Sequence, residues 1–254
     1  MQMPMTEKLY YRDPFLRCCR AKVTGVDERG VVLNRTVAFP EGGGQEGDRG
    51  LLLIPEEDVE IAFTDTQKGL GRCITMQDFP LIQVDTPIYH KVAPEHLEKF
   101  KEGQEIAVAL DIDRRMRLAA SHSATHLLLM GVESIYENFE SRVYGCHIKE
   151  EGGRLDFRTP IKFSQEEIRA IEKYANDLIQ SDSEISTFAH EQEPEAWYWQ
   201  CRDTIYPCGG MHLLRTSNIK GITVKRKNLG KTGQRVSFNM NGIVPFEELY
   251  HEND

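Results

Sequence analysis

The stretch DIDRRMRLAASHSATHLLL, residues 111–129, decides how this chain is built. Upstream of it apolar residues tend to alternate. From Asp111 the period becomes helical, and Met116, Leu118, Ala119, His122, His126, Leu127 and Met130 can share one broad face through to about Tyr136. The switch predicts a boundary near residue 105, with a strand-built part over 1–104 and an α+β part over 105–254. His122 and His126 stand four apart, one turn above the other on the inward face. That spacing lets both imidazoles reach one metal ion. Two satisfied core histidines are the plainer alternative, and partners elsewhere in the chain must decide.

Working back from the helix, short segments rich in valine and bounded by turn residues predict strands at 15–26, 30–39, 51–54, 58–64, 80–92 and 105–112. Asp27-Glu28-Arg29-Gly30 is a predicted hairpin turn. Strands this short, joined by Gly and Pro, imply a small barrel or sandwich. One segment stands apart, FPEGGGQEGDRG at 39–50. Gly42, Gly43 and Gly44 are costly to order and have no side chain to pack. The run is therefore either a flexible hairpin tip or a place where a ligand approaches the backbone closely. No Gly-Lys-Ser/Thr follows it, which excludes a Walker-type phosphate loop, and no dinucleotide fingerprint fits.

Composition narrows the class. The 254 residues suffice for one large domain or two modest ones, and 40% hydrophobic with 28% charged residues is ordinary for a soluble globular chain. No run approaches the roughly 20 apolar residues of a membrane helix. The first residues, MQMPMTEK, lack the apolar core of a signal peptide, so a cytoplasmic setting is expected. Cys18, Cys19, Cys73, Cys146, Cys201 and Cys208 are scattered, which points to reduced thiols or metal ligation rather than a disulfide framework. A net charge of −9 argues against a generic nucleic-acid coater while leaving room for a local basic patch.

Downstream of the helix, 143–149 and 154–159 predict a strand pair around Glu150-Glu151-Gly152-Gly153. Ser164-Gln165-Glu166-Glu167 reads as the cap and acidic first turn of a second helix running to about Gln180, with Ile168, Ile171, Ala175, Leu178 and Ile179 inward. Residues 184–190 predict a strand, and 218–227 with 233–240 a terminal hairpin. The second part is α+β, with helices packed on an antiparallel sheet.

Between these elements lies Tyr206-Pro207-Cys208-Gly209-Gly210-Met211-His212. Cysteine and histidine four apart, with glycines between, let a loop turn both ligand atoms to one point. With His122 and His126 they make a three-His, one-Cys set of borderline-soft donors suited to zinc (Zn2+). Four protein ligands normally close a structural zinc, whereas a catalytic zinc keeps a position for water. The residues alone leave both roles open, and no catalytic group is apparent beyond the metal set. His90, His96, His147, His190 and His251 have no such pairing and are read as structural.

HSATHLL together with PCGGMH resembles the zinc-binding motifs of the editing domain of alanyl-tRNA synthetase, which freestanding AlaX-type trans-editing proteins share. TVAFPEGGGQEGDRG is similar to the glycine-rich motif of the barrel preceding that domain, and ALDIDRRMRLAASHSATHLL to the approach into its zinc helix. The motifs occur in the family's order and cover nearly the whole chain. The resemblance implies a small N-terminal β-barrel followed by an α+β zinc-binding editing domain. It implies an aminoacyl-tRNA deacylase, hydrolysing serine or glycine wrongly esterified to alanine tRNA. By the same resemblance His122, His126, Cys208 and His212 are the zinc ligands, and Gln45 lines the pocket. Ser123 stands where the family commonly has threonine, so a hydroxyl there is expected to read the serine side chain.

The family's C-G-G-T-H has Met211 at its fourth place, which makes Met211 either a core filler or a pocket residue altering substrate choice. Ile219-Lys220 also departs from the usual Ile-Gly. The N–H groups of Gly209 and Gly210 are conceivable oxyanion donors, with turn geometry as the plainer role. For tRNA, the basic cluster Lys220, Lys225, Arg226, Lys227, Lys231 and Arg235 is the main expected contact. Arg12, Arg17, Arg20 and Lys22 form another cluster, and Arg114, Arg115 and Arg117 a third. The expected activity is trans-editing hydrolysis of misacylated tRNA. The rivals are a zinc-stabilised tRNA-binding module without catalysis, and a hydrolase acting on a different aminoacyl ester.

Overall fold

Alternation of aliphatic and charged residues closes the first part of the chain into a barrel. A computed structural model of the chain describes residues 3–77 and 79–249; His251 lies outside them. Two units are distinct, residues 1–42 with 46–115, and residues 43–45 with 116–254.

In the first unit Cys18–Asp27, Gly30–Leu33, Gly50–Ile54, Val59–Lys68, Ile88–Val92 and Glu105–Leu110 form a closed barrel in which every pairing is antiparallel. Along Cys18–Asp27, Ala21 and Val23 are buried while Arg20 and Lys22 are exposed, the period-two pattern of a strand with one wet face. Val23, Val31, Leu33, Leu52, Ile54, Ile61, Phe63, Ile106 and Val108 fill the interior. Glu105–Leu110 pairs with both Cys18–Asp27 and Gly50–Ile54 and is the closing stave. A boundary at 104/105 would remove it and leave two bare strand edges, so the break between units falls after Arg115 instead.

The expected strand over 80–92 is two strands. Ile82–Val84 pairs with Arg72–Ile74 in a separate hairpin, while Ile88–Val92 joins the barrel. Asp85, at φ 56°, and the following Pro87 interrupt the extended run. His90 is a satisfied core histidine, with Nε2 2.8 Å from Thr36 Oγ1 and Nδ1 3.1 Å from Val31 O. Burial pushes its pKa down to about 4. Arg115 is 1% exposed and paired with Asp48, and it donates to Pro14 O and Val37 O, both at 2.7 Å. Arg114 is paired with Glu46 at 2.9 Å. Two cations expected to meet tRNA are thus spent inside the first unit.

Helix α1 spans Ile112–Glu133, and its residues 118–132 are all buried. Its alanines, leucines and small hydroxyl residues suit a helix covered on every side rather than one with a single apolar stripe. Helix α2 spans Gln165–Gln180 and begins with the predicted cap. Glu167 N–H donates to Ser164 Oγ and Ser164 N–H to Glu167 Oε2, a reciprocal capping box. Its buried residues are Ile168, Ile171, Ala175, Leu178 and Ile179, the five read from periodicity.

A four-stranded antiparallel sheet runs in the spatial order Val143–Lys149, Gly152–Arg158, Gly233–Met240, Ile222–Asn228. Both edges are blunted. Val224 N–H donates to Glu172 Oε2 and Ile222 N–H to Asn176 Oδ1, so α2 covers one edge. On the other, Ile148 N–H donates to Gly44 O at 2.7 Å. A second sheet contains Ile185–His190, Glu193–Cys201 and Thr204–Pro207. The last two strands were not predicted. Pro194 and the acidic residues around it mask the pattern, although the aromatic run Trp197-Tyr198-Trp199 is a strand signal. A short helix, Phe246–Leu249, follows the terminal hairpin.

Candidate metal centre

Helix α1 supplies His122 and His126, and the loop after Thr204–Pro207 supplies Cys208 and His212. Their four ligand atoms all lie within 4.8 Å of one another. Cys208 Sγ is 3.3 Å from both His122 Nε2 and His212 Nε2. A tetrahedron with zinc–nitrogen and zinc–sulfur bonds has edges of about 3.3–3.7 Å. His126 Nε2 is buried without a hydrogen-bond partner. A buried lone pair left unmatched is costly, and a shared cation would satisfy it together with its three neighbours. The residues present can therefore hold a metal ion.

The supports of these ligands explain their aim. His122 Nδ1 is 2.8 Å from Gln45 Oε1, and Met211 N–H donates to the same oxygen at 3.1 Å. A carbonyl oxygen only accepts, so Nδ1 carries the proton and Nε2 presents its lone pair toward Cys208. Ser123 Oγ accepts from Leu213 N–H at 3.1 Å and lies 3.3 Å from His212 Nδ1. Ser123 is thus the partner that orients His212. Burial pushes the His122 pKa down to about 3. Burial first, then neighbouring histidines, hold those of His126 and His212 well below the usual range. Neutral imidazole is the ligating form. Burial also drives the Cys208 thiol up to about 12, opposed by the backbone N–H of Gly210, which is directed at the sulfur.

Gly210 is required by space. A Cβ there would lie 2.1 Å from His122 Cε1 and 2.3 Å from Nδ1. Gly44, at φ +88°, brings the chain so close to Cys146 that a Cβ would meet its carbonyl oxygen at 2.8 Å. The glycine run is thus an ordered connection that delivers Gln45 to His122 within the second unit.

Sequence reasoning missed the aromatic wall. The His126 ring stacks on Trp199 at 4.6 Å and Tyr206 at 5.4 Å between centroids, and Tyr206 Oη donates to Glu133 Oε2 at 2.7 Å. Met211 is 3% exposed and Ser123 and Gln45 are fully buried. Gly209 and Gly210 are both half-buried in the loop. Lys225, Lys227 and Arg235 share one face of the four-stranded sheet, Arg226 lies on the opposite face, and Lys231 is in the exposed connection. Arg117 is paired with Glu150 at 2.8 Å.

If Gln45 sets the His122 tautomer, Gln45→Ala should weaken metal binding by about 10- to 100-fold, the usual cost of losing a supporting hydrogen bond. Competition with a chromogenic chelator reads this directly. An unchanged affinity would mean that the contact does not orient the ligand.

No family model matches the chain. It is similar to alanine–tRNA ligases of several archaea. The protein from Pyrococcus furiosus is 31% identical over 234 residues, covering 89% of this chain and 22% of the relative. That from Saccharolobus islandicus is 29% identical over 238 residues, covering 86% and 25%. That from Methanospirillum hungatei is 29% identical over 279 residues, covering 99% and 27%. The chain thus spans about a quarter of the length of the curated relatives it matches.

Proposed function

We propose, for a chain homologous to one segment of alanine–tRNA ligases, that it is a zinc-dependent deacylase of misacylated tRNA. Ser-tRNA(Ala) is the main substrate and Gly-tRNA(Ala) the second, so the chain supports alanyl-tRNA fidelity. The observation that carries this reading is the convergence of His122 and His126 with Cys208 and His212 in such a homologue. Three imidazole nitrogens and one thiolate suit zinc above magnesium or calcium, which take oxygen ligands. When bound, zinc supplies a Lewis-acidic centre and ties the Cys208–His212 loop to α1.

The chain's own groups have distinct parts. Gln45 Oε1 is taken by two donors, but Gln45 Nε2 is buried without a partner. We assign that N–H group to the carbonyl oxygen of the aminoacyl ester, where charge develops during hydrolysis. Ser123 Oγ already accepts from Leu213 N–H, so toward a substrate hydroxyl it serves as a donor. A site that bonds a hydroxyl disfavours the analogue lacking it, and alanyl-tRNA is spared on that ground. Trp199 and Tyr206 hold His126 flat and keep water from that side. No helix among the described residues is long and apolar enough to cross a membrane, and a cytoplasmic setting is part of the proposal.

The test is release of amino acid from Ser-, Gly- and Ala-tRNA(Ala) by purified protein, with and without a zinc chelator. Serine and glycine should be released, alanine retained, and the chelator should stop both reactions. Failure on every aminoacyl-tRNA, with tRNA binding intact, would favour a second reading, a zinc-stabilised tRNA-binding module. Two observations support that reading, four protein ligands able to close the shell and the complete burial of Ser123. Turnover of another aminoacyl ester alone would point to Met211 having changed the substrate.

A further inference from the structure

The four-stranded sheet of the second unit has two unlike faces. Its register sets Ile148, Gly153, Phe238 and Val224 side by side, and beside them Cys146, Leu155, Val236 and Arg226. On that face Ile148, Leu155, Val236, Phe238 and Val224 are buried. The intervening positions project to the other face, where His147, Arg154, Ser237 and Lys225 form one row and Gly145, Asp156, Arg235 and Lys227 the next. Lys149 and Arg158 extend the same face at opposite ends of the sheet. Six cations therefore share it with a single acid among the strand residues there, Asp156, in a chain whose net charge is −9.

That acid offsets one of the six charges from beneath the surface. Asp156 is 5% exposed and accepts from Arg235 Nε at 2.6 Å and Nη2 at 2.9 Å, and it also pairs with Arg154. One buried carboxylate thus fixes two guanidinium forks, which then lose less freedom on meeting an anion. Arg158 lies over the ring of Tyr144, 5.5 Å from its centroid, and Tyr144 is 52% exposed. Fixed arginines, flanking lysines and an exposed aromatic ring are the chemistry of a surface for phosphates and unstacked bases.

We propose that this face holds the phosphate backbone of the tRNA substrate, an inference that takes the identity of the RNA from the proposed function. The surface uses Lys225, Lys227 and Arg235 with Arg154, Arg158 and Lys149, and it excludes Arg226, whose side chain lies on the packed side. It also adjoins the metal centre through one strand. Ile148 donates to Gly44 O, and the next residue, Gln45, holds His122.

The test is fluorescence-anisotropy titration of an uncharged tRNA(Ala) transcript over a range of salt concentrations. Lys225→Glu/Lys227→Glu and Arg158→Glu are compared with a control in the first unit, Lys99→Glu/Lys101→Glu, where both lysines are exposed. The double variant on the face should bind at least about tenfold more weakly, with a salt slope shallower by about 2. Its zinc content and circular dichroism should match the parent's, and the control should stay within about twofold of it. Parental affinity and slope in the face variants, an equal loss in the control, or no tRNA binding by the parent would each overturn the proposal. Displacement of tRNA by polyglutamate as readily as by unlabelled tRNA would assign the face to an acidic protein instead. If tRNA binds here and no aminoacyl-tRNA is hydrolysed, the surface stands and the deacylase reading falls. If hydrolysis occurs and the face variants keep parental kcat/KM, the reverse holds.

Discussion

Cys208→Ala is expected to leave a protein that folds and loses its zinc. The thiol lies 3.3 Å from two of the three imidazole nitrogens, so its removal takes a direct ligand and the only sulfur donor of the set. The affinity loss should exceed the roughly 10- to 100-fold seen when only a supporting residue is removed. Elemental analysis after dialysis against a competing chelator should show substoichiometric zinc. The cobalt-substituted protein should lose its thiolate-to-metal absorption. Circular dichroism should be retained, because α1, α2 and the sheet have their own apolar core. Full zinc after the same dialysis would remove Cys208 from the ligand set. Unfolding of the variant would instead give the metal a share in holding the second unit together.

Gly210→Ala should be nearly as damaging although it removes nothing. The added methyl would sit 2.1 Å from His122 Cε1, well inside contact distance, and 3.2 Å from Gln45 Oε1. Either the imidazole turns away and forfeits its bond to Gln45, or the loop retreats and carries Cys208 and His212 with it. Overpacking of this kind costs about 1–3 kcal/mol, which thermal or denaturant unfolding of the metal-free protein should show. Chelator competition should show weaker zinc binding as well. A variant with parental stability and affinity would mean that the loop can yield without disturbing His122.

The legible parts of this chain share one physical property, that their information is local. A helical face has a period of 3.6 residues and a cap sits three residues from its partner, so α2 and its five buried residues could be read in one pass. The barrel strands announce themselves by alternation. Where the sequence misled, a residue's setting was decided elsewhere. Asp85 and Pro87 break a run that reads as continuous. Strand Glu193–Cys201 is held by pairing with Ile185–His190, and Thr204–Pro207 by pairing with Glu193–Cys201, rather than by a clean pattern. Arg114 and Arg115 look like free cations until Glu46 and Asp48, 68 and 67 residues away, are brought to them.

The same division runs through the candidate site. By itself the sequence picks out the four candidate ligands, because spacing of four on a helix and of four around glycines already aims each pair at one point. Only the tertiary structure decided what the neighbours do. Gln45 and Ser123 each hold an imidazole nitrogen, and Gly210 is present because the His122 ring occupies the place of its side chain. Those roles depend on segments 77 to 89 residues apart meeting within hydrogen-bond distance. Local periodicity carries no trace of such a meeting, since it is set by how the whole second unit packs.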